Sequence, residues 1–284
     1  MYAFTVRPMS KEVSLKPGEV YEGSVTISNP ADAESDFNYS VNVSPYNVVD
    51  DNYTADFVTS SDWSKIVDWI KIEEPTGTVQ PNGQKQIYYT ITVPEDAPAG
   101  GQYAVIGVSS NNKANGDDGV AVQNVFEMAS IIYARVAGET RHEGEILSNS
   151  IPGFVTSGAP EVSTILTNSG NVHEVAQVTL TVKNALNGDM VFPVGEDENT
   201  FSELVMPEST RFVKRDLSDL PALGVFEVTQ DVAYIGGDSE YAHNTVTMIV
   251  CPLWFLFLMI LTVGAFIGTI CGLIYKHRKK RRVF

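Results

Sequence analysis

The sequence predicts an all-β chain of two tandem antiparallel β-sandwiches, followed by a single C-terminal transmembrane α-helix. Three observations carry this. Short runs of alternating apolar and polar residues fill the first 245 residues. One turn-and-strand signature occurs once in each half of that region. From Thr247 to Tyr275 the chain then runs 29 residues without a charge.

In the first half, Tyr21, Val25 and Ile27 alternate with Glu22, Ser24 and Thr26. Phe37, Tyr39, Val41 and Val43 alternate with Asn38, Ser40 and Asn42, and Ile87, Tyr89, Ile91 and Val93 with Tyr88, Thr90 and Thr92. Period two places one set in a core and the other in water, which is a half-buried strand. Lys16-Pro17-Gly18, Asn29-Pro30, Pro81-Asn82-Gly83, Pro94 to Gly101 and Asn115-Gly116-Asp117 supply the turns between runs. Many short strands so punctuated predict an Ig-like sandwich.

The second half repeats the scheme. Val162 to Asn168 ends in Asn168-Ser169-Gly170-Asn171, as Val25 to Asn29 ends in Asn-Pro. Val175 to Val182 is the next strand, and Asn187-Gly188 is a hairpin turn. Pro98-Ala99-Gly100-Gly101-Gln102-Tyr103 and Pro221-Ala222-Leu223-Gly224-Val225-Phe226 share the pattern Pro-Ala-x-Gly-x-aromatic, each opening a strand. The polar run from Gly138 to Ser150 marks the boundary. Domains are expected at 1–139 and 140–245, a span at 246–275 and a basic tail at 276–284.

The uncharged stretch exceeds the roughly 20 apolar residues that cross a bilayer as a helix. It is apolar on every face, unlike a soluble helix. Its expected anchor residues are Pro252, Leu253, Trp254, Phe255, Gly264, Gly268, Gly272 and Tyr275, with an irregular start at Pro252. Gly264, Gly268 and Gly272 share one helical face, a spacing that allows helices to approach and self-associate, although glycine is frequent in membrane helices in any case. Lys276, Arg278, Lys279, Lys280, Arg281 and Arg282 follow as a stop-transfer cluster. Basic residues stay on the cytoplasmic side, which places the two domains outside the cell membrane and the tail inside. A tail-anchored cytosolic protein is the competing topology. The first residues, Met1-Tyr2-Ala3-Phe4-Thr5-Val6, carry no signal peptide, so one is expected to have been removed or the start trimmed.

Six of the 19 Lys and Arg lie in the tail, whereas all 35 Asp and Glu precede the span. The preceding region therefore holds 13 basic and 35 acidic side chains, a formal charge of −22. Such a surface repels nucleic acid. Both cysteines, Cys251 and Cys271, fall in the uncharged stretch, about 30 Å apart along a helix and unable to bridge. The two domains are thus expected to be free of cysteine.

Chemistry is sparse. His142, His173 and His243 have no partner at metal-ligand spacing, and no Gly-x-Ser-x-Gly elbow or phosphate loop occurs. The acid pairs Asp50-Asp51 and Asp117-Asp118, and Glu196-Asp197-Glu198, do not by themselves supply a calcium shell. The expectation is a non-enzymatic protein with no cofactor. The interval Tyr46 to Lys65 is too long for a plain turn, and is either functional or folded as a small hairpin. Its aromatics Tyr46, Tyr53 and Trp63 are the candidate ligand-binding residues, as stacking platforms for a sugar polymer; the alternative is that they cap the sandwich. Trp69, beside Ile70 and Ile72, reads as core.

Phe4-Thr5-Val6-Arg7-Pro8, Leu15-Lys16-Pro17-Gly18, Val25-Thr26-Ile27-Ser28-Asn29, Trp69-Ile70-Lys71-Ile72 and the stretch Val93-Pro94 to Ile106 resemble the WxL-interacting surface proteins of Gram-positive bacteria. The resemblance covers about residues 1 to 135, and the second domain matches generically. It implies a membrane-anchored wall protein, with the first domain associated with peptidoglycan and the second with host or WxL proteins. Expected partners are therefore the membrane, peptidoglycan or other cell-surface proteins. The alternative is a chaperone-like assembly factor that accepts a partner strand at an open sheet edge.

Overall fold

The structure, a computed structural model, describes residues 4–110, 128–156, 160–193, 199–217, 220–235 and 240–280, the side chains of 275–280 excepted. The Asn115-Gly116-Asp117 turn, Asp118, the 196–198 acid run, Arg281 and Arg282 lie outside the described residues.

The first sandwich is built from β1 (Thr5–Arg7), β2 (Ser10–Leu15), β3 (Val20–Ser28), β4 (Phe37–Pro45), β5 (Asn47–Val48), β6 (Ala55–Asp56), β7 (Ile70–Ile72), β8 (Thr76–Val79), β9 (Gln84–Thr92), β10 (Gly100–Ser110) and β11 (Met128–Val136). One sheet has the order β1-β3-β9-β7 and the other β2-β11-β10-β4-β8. Period-two faces meet between them: Val25, Ile27, Ile87 and Ile91 from one sheet pack on Tyr39, Ile106, Ile132 and Leu15 from the other. Each fully buried side chain of this size contributes roughly 1.5–3 kcal/mol.

The second sandwich comprises β12 (Gly144–Ser150), β13 (Phe154–Val155), β14 (Glu161–Asn168), β15 (Glu174–Asn184), β16 (Met190–Phe192), β17 (Thr200–Val205), β18 (Ser209–Asp216), β19 (Gly224–Ile235) and β20 (Tyr241–Val250). Its sheets run β12-β14-β18 and β13-β20-β19-β15, with β16 and β17 both on β15.

The repeat in the sequence is a repeat in topology. Both sandwiches begin with a strand in one sheet and then cross to the other. There β2 runs parallel to β11, as β13 runs parallel to β20. Asn29 and Asn168, which end equivalent strands, are both buried, and each donates from its amide across to a β-strand carbonyl, Val79 O and Val205 O. The shared Pro-Ala-x-Gly-x-aromatic pattern also has one cause. Tyr103 folds back over Gly101, and Phe226 over Gly224, so that a Cβ on either glycine would strike the ring. In a strand, residues i and i+2 share a face, and the glycine leaves room for the aromatic.

Two sequence expectations change at the C-terminal end. The expected boundary at 245 falls inside β20, whose Met248 and Val250 are buried in the second core. Cys251 follows, buried, donating its N–H to Val155 O at 2.8 Å, so one cysteine belongs to the sandwich and not to the span. An apolar strand end abutting an apolar helix gives no charge break, which is why they read as one stretch. Helix α1 (Leu253–Lys280) begins directly after Pro252. Its Leu253–Ile274 segment, with mean hydropathy 2.4, is long and apolar enough to cross a membrane and is covered by no other part of the chain among the described residues. At 1.5 Å per residue it measures about 33 Å. A methyl group added at Gly264, Gly268 or Gly272 would meet nothing within 4 Å.

Candidate functional site between the two sandwiches

The interval Tyr46 to Lys65 forms its own hairpin, β5 against β6, followed by a 3-10 helix over Asp62–Trp69. Ser61 caps that helix: its hydroxyl accepts the Trp63 N–H, and the Ser64 hydroxyl accepts the Ser61 N–H in return. Gln102, buried on β10, ties the helix to the core by accepting the Ile66 N–H and donating to Asp62 O. Trp69 packs at the edge of the first core.

From this platform the hairpin reaches the second sandwich. Asp51 O accepts the Phe212 N–H at 2.8 Å, on the outer edge of β18. The Tyr53 hydroxyl accepts the Met206 N–H at 2.7 Å and lies 2.6 Å from Ser209 Oγ. Ser209 spends its own proton on Met206 O, so Tyr53 is the donor to Ser209. Arg211 lies 4.5 Å over the Tyr53 ring and is fixed from behind by the buried Glu203 at 2.7 Å, which also holds Arg215. Tyr53 has φ 63°, a left-handed backbone costing a side-chain-bearing residue about 1–2 kcal/mol. Asp50 holds that turn, accepting from the Thr54 N–H and hydroxyl.

A second set of contacts lies beside the linker. Gly101 N–H donates to Asn171 O at 2.7 Å, and the Asn171 amide donates to Ala99 O and Glu139 O. Gly100 has φ 117°, and a Cβ there would stand 2.5 Å from Asn171 O, so the close approach requires glycine. The Tyr103 hydroxyl accepts the His173 N–H at 2.9 Å and meets His173 Nδ1 at 3.2 Å. Burial, then the Arg135 charge, hold His173 below the usual histidine range, against the pull of Glu12. Burial pushes Tyr103 and Tyr133 up. Tyr46 stands edge-on to Tyr133 and stacks on Phe57, both at 6.0 Å, and Tyr133 packs on His173 at 5.4 Å. Burial also raises Glu174, opposed by its 2.6 Å bond to His142.

The three candidate aromatics thus come to one joint but are placed differently. Tyr46 is packed into the aromatic row on the outer face of the first sandwich. Tyr53 has its hydroxyl engaged across the joint and one ring face under Arg211. Trp63 remains half-exposed and lines a cleft of about 280 Å3 with Asn47, Val48, Asp56, Thr59 and Pro207. A second cleft, about 310 Å3, is framed by Glu12, Ser14, Tyr133, Arg135 and His173. Neither Arg211 nor His173 stood out in the sequence, because a lone Arg and a lone His carry no spacing signal.

Among the described residues, no group of three His, Cys, Asp or Glu is placed to hold a metal. Asp231, His243 and Thr245 do align, Asp231 Oδ1 to His243 Nδ1 at 2.6 Å and His243 Nε2 to Thr245 Oγ1 at 3.2 Å. They lie on an exposed sheet face away from both clefts, with Tyr241 and Thr229 bonded into the same ladder.

No known family and no curated protein matches the chain. Solved structures do. The class 5 fimbriae chaperone CfaA is 13% identical, covering 87% of this chain and 99% of its own, with a TM-score of 0.40. The CsuC–CsuE chaperone–tip adhesion subunit complex of Acinetobacter baumannii yields a chain 13% identical, covering 87% and 100%, at 0.41. PapD-like domain 7 of human CEP192 covers 48% of this chain and 87% of its own, at 13% identity and 0.29.

Proposed function

We propose that this chain is a non-enzymatic, membrane-anchored bacterial surface protein that binds wall polymer, with α1 in the cell membrane and both sandwiches outside. The observation that carries the binding site is the half-exposed Trp63 in a cleft where the polar Asn47, Asp56, Thr59 and Ser209 alternate with the apolar Val48, Met206 and Pro207. An aromatic face among hydrogen-bonding groups suits a sugar, whose C–H face stacks while its hydroxyls bond laterally. The resemblance of residues 1 to 135 to the WxL-interacting surface proteins supports peptidoglycan as that polymer. Lys276 to Lys280 at the end of α1 support a cytoplasmic tail.

The test is retention on purified wall sacculi of the full chain in detergent micelles. Binding to protein-free peptidoglycan, lost on Trp63→Ala but kept on Trp69→Phe, is the expected result. Retention restricted to protein-bearing walls would favour the second reading, in which a partner protein adds a strand. One feature favours that reading: the six-residue β2 forms a sheet edge and borders the 310 Å3 cleft. The other edges of the first sandwich are three or four residues long, β12 is interrupted by a register shift at Ile146/Ser148, and the edge β18 already gives its Phe212 N–H to Asp51 O. Short or bulged edges are poor strand acceptors.

A further inference from the structure

The second sandwich joins α1 through two residues, Cys251 and Pro252. So short a joint fixes which end of the domain stands nearest the bilayer. It is the end where β20 finishes, β19 begins and β15 turns into β16. Register places Ile249 opposite Val225 on one side and Phe154 on the other, and Ala185 N–H bonds to Val225 O. Leu186 and Leu223, in the two adjoining turns, therefore share this end with Phe154 and Ile249. All four are exposed, Leu186 at 83% and Phe154 at 54%. Trp254, 65% exposed, opens the helix beside them. The opposite end of the sandwich is about 36 Å away along the 12 residues of β19, where it meets the first domain.

Hairpin turns in water favour polar residues, and four large apolar side chains in one place are costly to hydrate. We infer that Leu186, Leu223, Phe154 and Ile249 form a membrane-seating surface, which inserts into the interfacial layer of the bilayer that α1 crosses. The inference rests on the anchoring proposed above. The occupant is lipid because the helix begins two residues from Val250, leaving no room for a protein layer between this end and the headgroups. The seat orients the joint and both clefts relative to the membrane, and turns a flexible tether into a fixed mount. The charges at this end include Lys183, Asp189, Glu227, Glu161 and Asp216. Mostly acidic, they call for no anionic lipid.

The full chain, with Cys251→Ala and Cys271→Ala, is reconstituted in phosphatidylcholine vesicles and spin-labelled at a single introduced cysteine. Accessibility to oxygen and to a water-soluble nickel chelate reports depth. Ala265→Cys reports the helix, Val58→Cys the first domain, and Leu186→Cys and Leu223→Cys the proposed seat. The oxygen-to-nickel ratio at 186 and 223 is expected to lie severalfold above that at 58, approaching that at 265. Water-like ratios at 186 and 223 with a lipid-like ratio at 265 would overturn the seat and leave the anchor standing. A water-like ratio at 265 would overturn both. Since Leu186 and Leu223 are solvent-facing, their variants keep the fold, checked by an unchanged circular dichroism spectrum. Should the cysteine-free background unfold, brominated-lipid quenching of Leu186→Trp in the native chain reads the same distance, with quenching beyond the native tryptophans expected and its absence fatal.

Discussion

Replacing Tyr53 by Phe isolates the bond network that couples the two sandwiches. The ring, its packing and the Arg211 contact remain; one oxygen is removed. That oxygen is the acceptor for the Met206 N–H at 2.7 Å and the donor to Ser209 Oγ. Ser209 keeps its bond to Met206 O, but Met206 is 4% exposed, so its N–H has no water to turn to. An orphaned buried donor costs roughly 1–3 kcal/mol. A loss of about 2 kcal/mol is on the order of thirtyfold in the equilibrium between joined and separated domains. Urea unfolding of the full chain in micelles, followed by tryptophan fluorescence and far-ultraviolet circular dichroism, measures it. Tyr88→Phe is the control, since that hydroxyl is exposed and bonds within its own strand to Gln86; it should change stability by less than about 0.5 kcal/mol. Because Tyr53 and Ser209 share one network, Ser209→Ala should be non-additive with Tyr53→Phe by about 1 kcal/mol. A Tyr53→Phe change no larger than the control's, or strict additivity with Ser209→Ala, would refute the bonding scheme.

Three further outcomes follow from the same joint. His173 has its folded pKa held below the free value of 6.5, so between the two the unfolded chain binds the proton more tightly. Its stability contribution is complete above pH 6.5 and drains as pH falls toward the folded value; urea midpoints from about pH 7.5 to 5 should decline, and His173→Gln should flatten the decline. Glu174, shifted up by burial, acts with opposite sign, since protonation on acidification relieves the buried charge. Gly100→Ala should destabilise by about 2 kcal/mol or more, because the methyl meets Asn171 O of the other domain, while Gly188→Ala, at φ 76° with nothing within 4 Å, should cost about 1 kcal/mol; thermal unfolding of both decides. Glu203→Gln leaves Arg211 and Arg215 facing a neutral amide, and should cost roughly 2 kcal/mol, below the full penalty of a buried pair because both arginines are partly solvated; unchanged stability would show that the arginines are held by packing alone.

The two-sandwich architecture was legible because each strand has one wet face, and period two records that directly. The doubled Pro-Ala-x-Gly-x-aromatic pattern was legible too, since a steric demand of one ring on one glycine lies within a three-residue window. β10 is instructive: its run Tyr103 to Val108 breaks alternation and is buried on both faces. Such a run does not say what covers its outer face, where His173 packs on Tyr103 beside Tyr46 on Tyr133 of the neighbouring strand. The roles of Tyr53, Arg211 and His173 depend on contacts between residues 70 to 158 positions apart. No local pattern encodes such a distance. The strand end at Val250 was hidden for a different reason, since a buried strand and a lipid-facing helix draw on the same apolar residues.

The sequence by itself determined the class of the fold, its duplication and an apolar segment long enough for a bilayer, because each follows from the periodicity or length of side-chain polarity along the chain. Tertiary structure alone decided how the halves meet, which aromatic is left half-exposed in a cleft, and that the last strand runs to within two residues of the helix. Those are set by packing between remote segments, where burial and hydrogen-bond satisfaction, not local propensity, select the arrangement.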